Sequence, residues 1–171
     1  MHAKNSRSRR DMNDIDDTAT EARPTSAGVV VVRRQDDGWR VLLLRAYRNW
    51  DFPKGMIEAG EAPFSAAVRE VEEETSMNAL AFPWGKVFCE TAPYARGKIA
   101  RYYVGITSSE QVSLPINAAL GRAEHHEYRW VTFDVARELA PPRLQPILQW
   151  AHGVIAEQHN VCAVSIFSDL Q

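Results

Sequence analysis

Three glutamates, Glu70, Glu73 and Glu74, fall at positions i, i+3 and i+4. On a helix turning by about 100° per residue, that spacing gathers them on one face within a turn. Carboxylates so gathered can hold a hard divalent cation through oxygen ligands. Without a cation they repel, by about 3 kcal/mol per pair at roughly 5 Å and an effective dielectric of about 20, and by about 1 kcal/mol in bulk water. A solvated acidic face therefore survives with no metal, and spacing alone leaves both readings open. Arg69 lies four residues before Glu73 and can pair with that carboxylate and orient it. Upstream, the turn Pro53-Lys54-Gly55 brings an ammonium and a glycine backbone towards the same side, and an ammonium suits phosphate as a point charge.

The elements that must position these groups follow from periodicity. Residues 63–75 read as a helix: Pro63 is tolerated in its first turn, and Phe64, Ala67, Val68 and Val71 form an apolar stripe. Before it, Gly28–Val32 and Trp39–Leu44 are apolar runs separated by the turn signal Asp37-Gly38, which predicts a β-hairpin. Continuous apolar runs of this kind suit strands covered on both faces. Residues 49–55 are loop-like. Strands are expected within 79–90, 98–107 and 128–133, with a loop over 109–123. Pro141-Pro142 breaks the chain, and residues 143–159 read as a second helix with Leu144, Ile147, Leu148, Ala151, Val154 and Ile155 as its stripe. The order predicts an α/β fold, a mixed sheet flanked by helices.

Composition narrows the class of function. The chain has 171 residues, 45% of them apolar and 25% charged, with a formal net charge of −2. That is one domain with a core of its own, and it lacks the basic excess of a dedicated nucleic-acid binder. Residues 1–24 read as a disordered tail, since between Met1 and Pro24 the only large apolar side chains are Met12 and Ile15, and residues 25–171 as the domain. Two distant cysteines, Cys89 and Cys162, make neither a disulfide framework nor a CxxC site, which suits a reducing cytoplasm. No apolar run reaches the roughly 20 residues that span a bilayer.

The stretch Gly55–Met77 resembles the Nudix box: a glycine, five residues, a glutamate, seven residues, then Arg-Glu-apolar-x-Glu-Glu-x-Gly-apolar. Gly55, Glu61, Arg69, Glu70, Val71, Glu73, Glu74 and Met77 fill it at the correct spacing, and Ser76 stands where the family has glycine. The resemblance implies a Nudix α/β/α sandwich that hydrolyses a nucleoside diphosphate linked to another group, using Mg²⁺ or Mn²⁺. It further implies Glu70, Glu73, Glu74 and the Gly55 carbonyl as metal ligands, Arg69 as their orienting partner and Glu61 as a brace for the loop. Ser76 falls where glycine would supply a left-handed helix cap, so it bears on loop geometry and touches no ligand position.

Features outside the box bear on the substrate. The lead-in Trp50–Gly55 resembles that of diadenosine polyphosphate hydrolases, diphosphoinositol polyphosphate phosphohydrolases and RNA pyrophosphohydrolases. The segment Glu124–Trp130 resembles the E-H-x-x-Y-R-W of the asymmetrical diadenosine tetraphosphate hydrolases more closely. The preferred expectation is a dinucleoside polyphosphate substrate; a diphosphoinositol, the 5′ end of RNA, or a catalytically silent nucleotide-binding module are the alternatives. By alignment, Glu124 takes the place of a glutamate that binds metal or activates water in related enzymes, with Glu127 as its rival and Glu73 and Glu74 as further candidates. Lys54, Lys98 and Tyr103 are the expected substrate contacts. His125 and His126, as neighbours in an extended segment, should point to different sides. Cys89 reads as a buried strand residue, since no nearby motif would activate it.

Overall fold

A computed structural model of the chain describes residues 23–167. The tail expected over residues 1–24 falls almost wholly outside the described residues. Among those described, nine strands and three α-helices follow one another: β1 (Ser26–Gln35), β2 (Gly38–Ala46), β3 (Asn49–Asp51), β4 (Lys54–Met56), α1 (Pro63–Thr75), β5 (Phe88–Glu90), β6 (Ala100–Ile106), β7 (Ile116–Asn117), β8 (Arg122–Ala123), β9 (Glu127–Val131), α2 (Phe133–Leu139) and α3 (Gln145–Phe167).

Strand β1 is the axis of a seven-stranded mixed sheet. Along one edge it pairs in parallel with β6, from Ser26 opposite Ala100 to Val32 opposite Ile106. Its other edge is shared. Val32–Gln35 pair with β2, whereas Ser26–Gly28 pair with β4. Strand β2 likewise turns from β1 to β3 along its length, while β9 lines its far edge. β1 and β2 therefore splay apart, and residues 49–56 fill the wedge between them. This is why a segment that reads as a loop contains two short strands. Gly28 permits it: a Cβ there would lie 2.3 Å from the Pro53 carbonyl oxygen and 2.5 Å from the Lys54 Cβ.

The two faces of β1 supply two cores. Ala27, Val29 and Val31 pack with Ala66, Ala67, Val71 and Met77 of the α1 side. Val30 and Val32 pack with Leu43, Phe52 and Tyr102 and with Leu144, Ile147, Leu148 and Ala151 of the second helical layer. Alternate β-branched residues are thus buried on opposite faces, as expected of a strand covered on both sides. The fold is an α/β/α sandwich.

Three details differ from expectation. The stretch 79–90 is mostly irregular, with an isolated bridge at Ala81 ahead of the short β5. The loop 109–123 carries the small β7–β8 hairpin. Helix α2 has no counterpart in the periodicity, because seven residues are too few to show one; its signal is local, Thr132 accepting a hydrogen bond from the Val135 N–H. Helix α1 matches its expected bounds and ends as the box departure requires. Ser76 adopts the left-handed conformation at φ 56° and donates its N–H to the Glu72 carbonyl.

Candidate functional site

Helix α1 and the segment before β9 face each other across a cleft of about 370 Å³. Glu70, Glu73 and Glu74 line it from the helix, Glu124 and His125 from the segment before β9. Leu114, Pro115, Ile116 and Ala118 form a largely apolar wall. All four expected glutamates therefore meet in one cavity, of a size usual for a small-molecule site.

Arg69 is the organiser of the acidic wall. Its Nε and Nη2 donate to the two oxygens of Glu61 at 2.9 Å each, a bidentate fork, and Nη2 also reaches the Met56 carbonyl. Its Nη1 donates to Glu70 at 2.8 Å and to Glu73 at 3.0 Å. Glu61 additionally accepts the Glu58 N–H, and these bonds, Arg69 first, hold its carboxyl down to about 2. The loop after β4 is thereby fastened to the helix, the bracing role expected of Glu61.

The deeper carboxylates are differently placed. Glu74 is buried and accepts the Lys54 backbone N–H at 3.0 Å. Burial pushes its carboxyl up to about 9, opposed by Lys54 and reinforced by Glu124 and Glu70. Burial also raises Glu70, against the pull of Arg69. The Lys54 ammonium is disfavoured by burial, yet Asp51 and Glu74 hold its pKa above the usual value. His125 is buried with its Nδ1 unpartnered and 3.9 Å from Glu74, and burial lowers its pKa. His126 is exposed, so the two histidines do point apart.

These residues fit a hard divalent cation. The donors are carboxylate oxygens, and two of them sit where burial makes an uncompensated negative charge costly. Gly55 is shaped to the same end: a Cβ there would lie 2.1 Å from the Glu70 Oε2, so only glycine lets that carboxylate rest against β4. As the side chains stand, no three His, Cys, Asp or Glu groups among the described residues converge on one point that would hold an ion. Arg69 engages Glu70 and Glu73, and the Lys54 N–H engages Glu74, so gathering the carboxylates takes side-chain rotation.

Not every expected contact reaches the cleft: Lys54 stands beside it, its ammonium 3.4 Å from Asp51, and is not one of the lining residues. Tyr103 is buried, its ring edge-on to Phe64 at 5.1 Å and to Phe88 at 6.1 Å, and it does not line the cavity. Lys98 is exposed where it closes a tight turn with Tyr94, also away from the cavity lining. Glu127 is held by Arg45 and Arg129, and only Glu124 of the rival pair lines the cleft. Trp50 lies under the guanidiniums of Arg129 and Arg45. Cys89 is half-buried, and burial raises its thiol. Sequence reasoning missed the apolar wall at 114–118 and a network around Asp51, in which Arg143 donates to Asp51 across 92 residues. The network carries no local signal, since Asp51 and Arg143 meet only in the folded chain.

The site is thus a glutamate-bearing helix braced by an arginine and set on a mixed sheet between helical layers. The chain belongs to the NUDIX family, whose NUDIX domain model matches residues 22–151. It is 28% identical over 140 residues to the asymmetrical bis(5′-nucleosyl)-tetraphosphatase of Sus scrofa, covering 74% of this chain and 92% of that one. It is also 28% identical over 135 residues to an RNA pyrophosphohydrolase of Bartonella bacilliformis, covering 63% and 76%. Among solved structures, an Ap4A hydrolase of C. elegans in a binary complex superposes with a TM-score of 0.66 at 25% identity, covering 77% of this chain and 98% of that one. The chain is an enzyme of the Nudix pyrophosphohydrolase class. Among the described residues no helix is long and apolar enough to cross a membrane.

Proposed function

We propose that this enzyme adds water to a phosphoanhydride of a dinucleoside polyphosphate, diadenosine tetraphosphate by preference, giving a nucleoside triphosphate and a monophosphate. The observation that carries the reading is the convergence of Glu70, Glu73, Glu74 and Glu124 on one cleft, from two separate elements. Glu70, Glu73, Glu74 and the Gly55 carbonyl would hold Mg²⁺ or Mn²⁺. Such a cation, when bound, neutralises the pyrophosphate and polarises the attacked phosphorus.

The chain's own residues do the rest. Glu124 is exposed at the cleft, on the wall opposite the helix, and accepts the proton of the attacking water. Arg69 keeps Glu70 and Glu73 within reach of the site. Lys54, fixed between Asp51 and Glu74, neutralises substrate phosphate. Lys98, outside the cavity lining, would serve only the outer end of a long substrate. Tyr103 takes no part beyond packing. The apolar wall at Leu114–Ala118 suits the flat face of a base.

The match to the tetraphosphatase over nearly its whole length supports the substrate, and the Glu124–Trp130 segment supports it further. The RNA pyrophosphohydrolase relative favours a second reading, removal of pyrophosphate from an RNA 5′ end. Purified enzyme with Mg²⁺ and then Mn²⁺ should be offered diadenosine tetraphosphate, ADP-ribose, a diphosphoinositol and triphosphorylated RNA. The expected kcat/KM for diadenosine tetraphosphate is at least about tenfold above the others, or about 1.4 kcal/mol of transition-state stabilisation. A better RNA or inositol substrate would overturn the preference.

A further inference from the structure

Asp51 is shared by two cations. Its Oδ2 accepts from Arg143 Nη2 at 2.6 Å and lies 3.4 Å from Lys54 Nζ. Its Oδ1 accepts the Tyr102 hydroxyl at 3.0 Å and the Phe52 N–H at 2.9 Å. Asp51 is thus fully engaged, and one carboxylate faces two positive groups. Glu74, the other carboxylate beside Lys54, belongs to the set proposed for the cation. The site therefore carries a surplus positive charge, and the surplus is partly withdrawn from water: the Lys54 and Arg143 side chains are each 25% exposed.

Arg143 has a further peculiarity. Its guanidinium lies over the Tyr94 ring, 4.9 Å from the centroid, which fixes its plane. Its Nη1 is buried and has no hydrogen-bond partner. A guanidinium N–H in that position lacks the acceptor that a buried donor requires. A planar fork with a spare donor beside a lysine suits phosphoryl oxygens.

We propose that Arg143 is a phosphate-binding residue which, together with Lys54 and through their shared Asp51, receives the part of a polyphosphate chain that extends beyond the glutamates. The anion site stands on these contacts alone; the identity of its substrate rests on the hydrolase reading above. The residue would then set preference for chain length. A tetraphosphate reaches both the carboxylates and Arg143, whereas a diphosphate engages the carboxylate end alone.

Binding of inorganic tripolyphosphate in EDTA, followed by calorimetry, tests the site without turnover. Arg143→Gln should weaken it at least about tenfold, and Arg143→Lys, which keeps the charge but loses the fork, should recover only part of the loss. With Mg²⁺, Arg143→Gln should raise KM for diadenosine tetraphosphate about tenfold with kcat within about threefold, and shift KM for ADP-ribose far less. A merely structural arginine would move both substrates together. Should Arg143→Gln fail to fold, wild-type protein decides: tripolyphosphate should protect Arg143, but not Arg137, from a dicarbonyl reagent, read by mass spectrometry. Wild type that binds no tripolyphosphate at about 1 mM, undiminished binding by a folded Arg143→Gln, or an unprotected Arg143 would each overturn the proposal. Tripolyphosphate binding lost in Arg143→Gln, without hydrolysis of any dinucleoside polyphosphate, would remove the substrate reading and leave the anion site standing.

Discussion

Burial of Glu74 makes the stability of the enzyme in EDTA depend on pH in a way that one substitution should abolish. The carboxyl stands at about 9 in the folded chain against an ordinary 4.5, chiefly because it is buried; Lys54 opposes the shift, and Glu124 and Glu70 add to it. A folded pKa above the unfolded one means that the stabilising contribution is complete below about 4.5 and is lost as pH rises through about 9. Between pH 5 and 8 the unfolded chain sheds this proton while the folded chain keeps it. At 1.36 kcal/mol per unit that amounts to about 4 kcal/mol, an upper bound because water entering the cleft screens the charge. Glu74→Gln stays neutral throughout, and its amide oxygen can still accept the Lys54 N–H. Melting in EDTA should therefore show wild type losing up to about 8–16 °C relative to Glu74→Gln from pH 5 to 8. All other titrating groups, including His125 and Lys54, are common to both proteins and cancel in the difference. Millimolar Mn²⁺ should flatten the wild-type slope more than the variant's, since Glu74→Gln removes one of the ligands. Parallel slopes for the two proteins in EDTA would refute the burial argument.

Glu73→Gln should lower turnover at least about 100-fold with little change in melting temperature, because an amide is a weaker ligand for a hard cation and Glu73 is exposed; near-normal turnover in Mg²⁺ would remove Glu73 from the ligand set. Glu124→Gln should depress the rate and alter the acid limb of the pH–rate profile; if neither changes, the base lies among the box glutamates. Gly55→Ala places a methyl where the Glu70 carboxylate lies, and should weaken Mn²⁺ binding about tenfold by titration calorimetry while the fold persists, since the displaced atoms end a flexible side chain. Ser76→Gly should raise stability by about 0.5–1 kcal/mol in denaturant melts by relieving the left-handed cap, with no effect on KM.

Much of this fold was legible because its strongest signals are local. The unbroken apolar run of β1 and the stripe of α1 state which faces are covered, and the hairpin turn states how β1 and β2 join. What was not legible depends on partners remote in sequence. The segment 49–55 reads as a loop because three-residue strands have no period; they exist because β1 and β2 diverge and leave a wedge to fill. Tyr103 illustrates the same limit from the other side. A tyrosine on a strand near the box is as consistent with a ring contact as with packing, and only Phe64 and Phe88, brought from α1 and β5, decide for packing.

The candidate site divides along the same line. Its glutamate half is held by short-range bonds: Arg69 reaches Glu73 four residues on and Glu61 eight residues back, so one contiguous motif contains both the ligands and their brace. Its cationic half is held by Asp51 reaching Arg143 across 92 residues and Tyr102 across 51, through the second core. The two halves are joined at Lys54, whose backbone N–H binds Glu74 and whose ammonium faces Asp51. A motif of local contacts can keep its chemistry while the elements around it vary. Contacts made across the fold are free to change with each rearrangement of the C-terminal helices. Substrate preference should therefore reside in the Asp51–Arg143 side and in the apolar wall at 114–118, and the common hydrolytic step in the box.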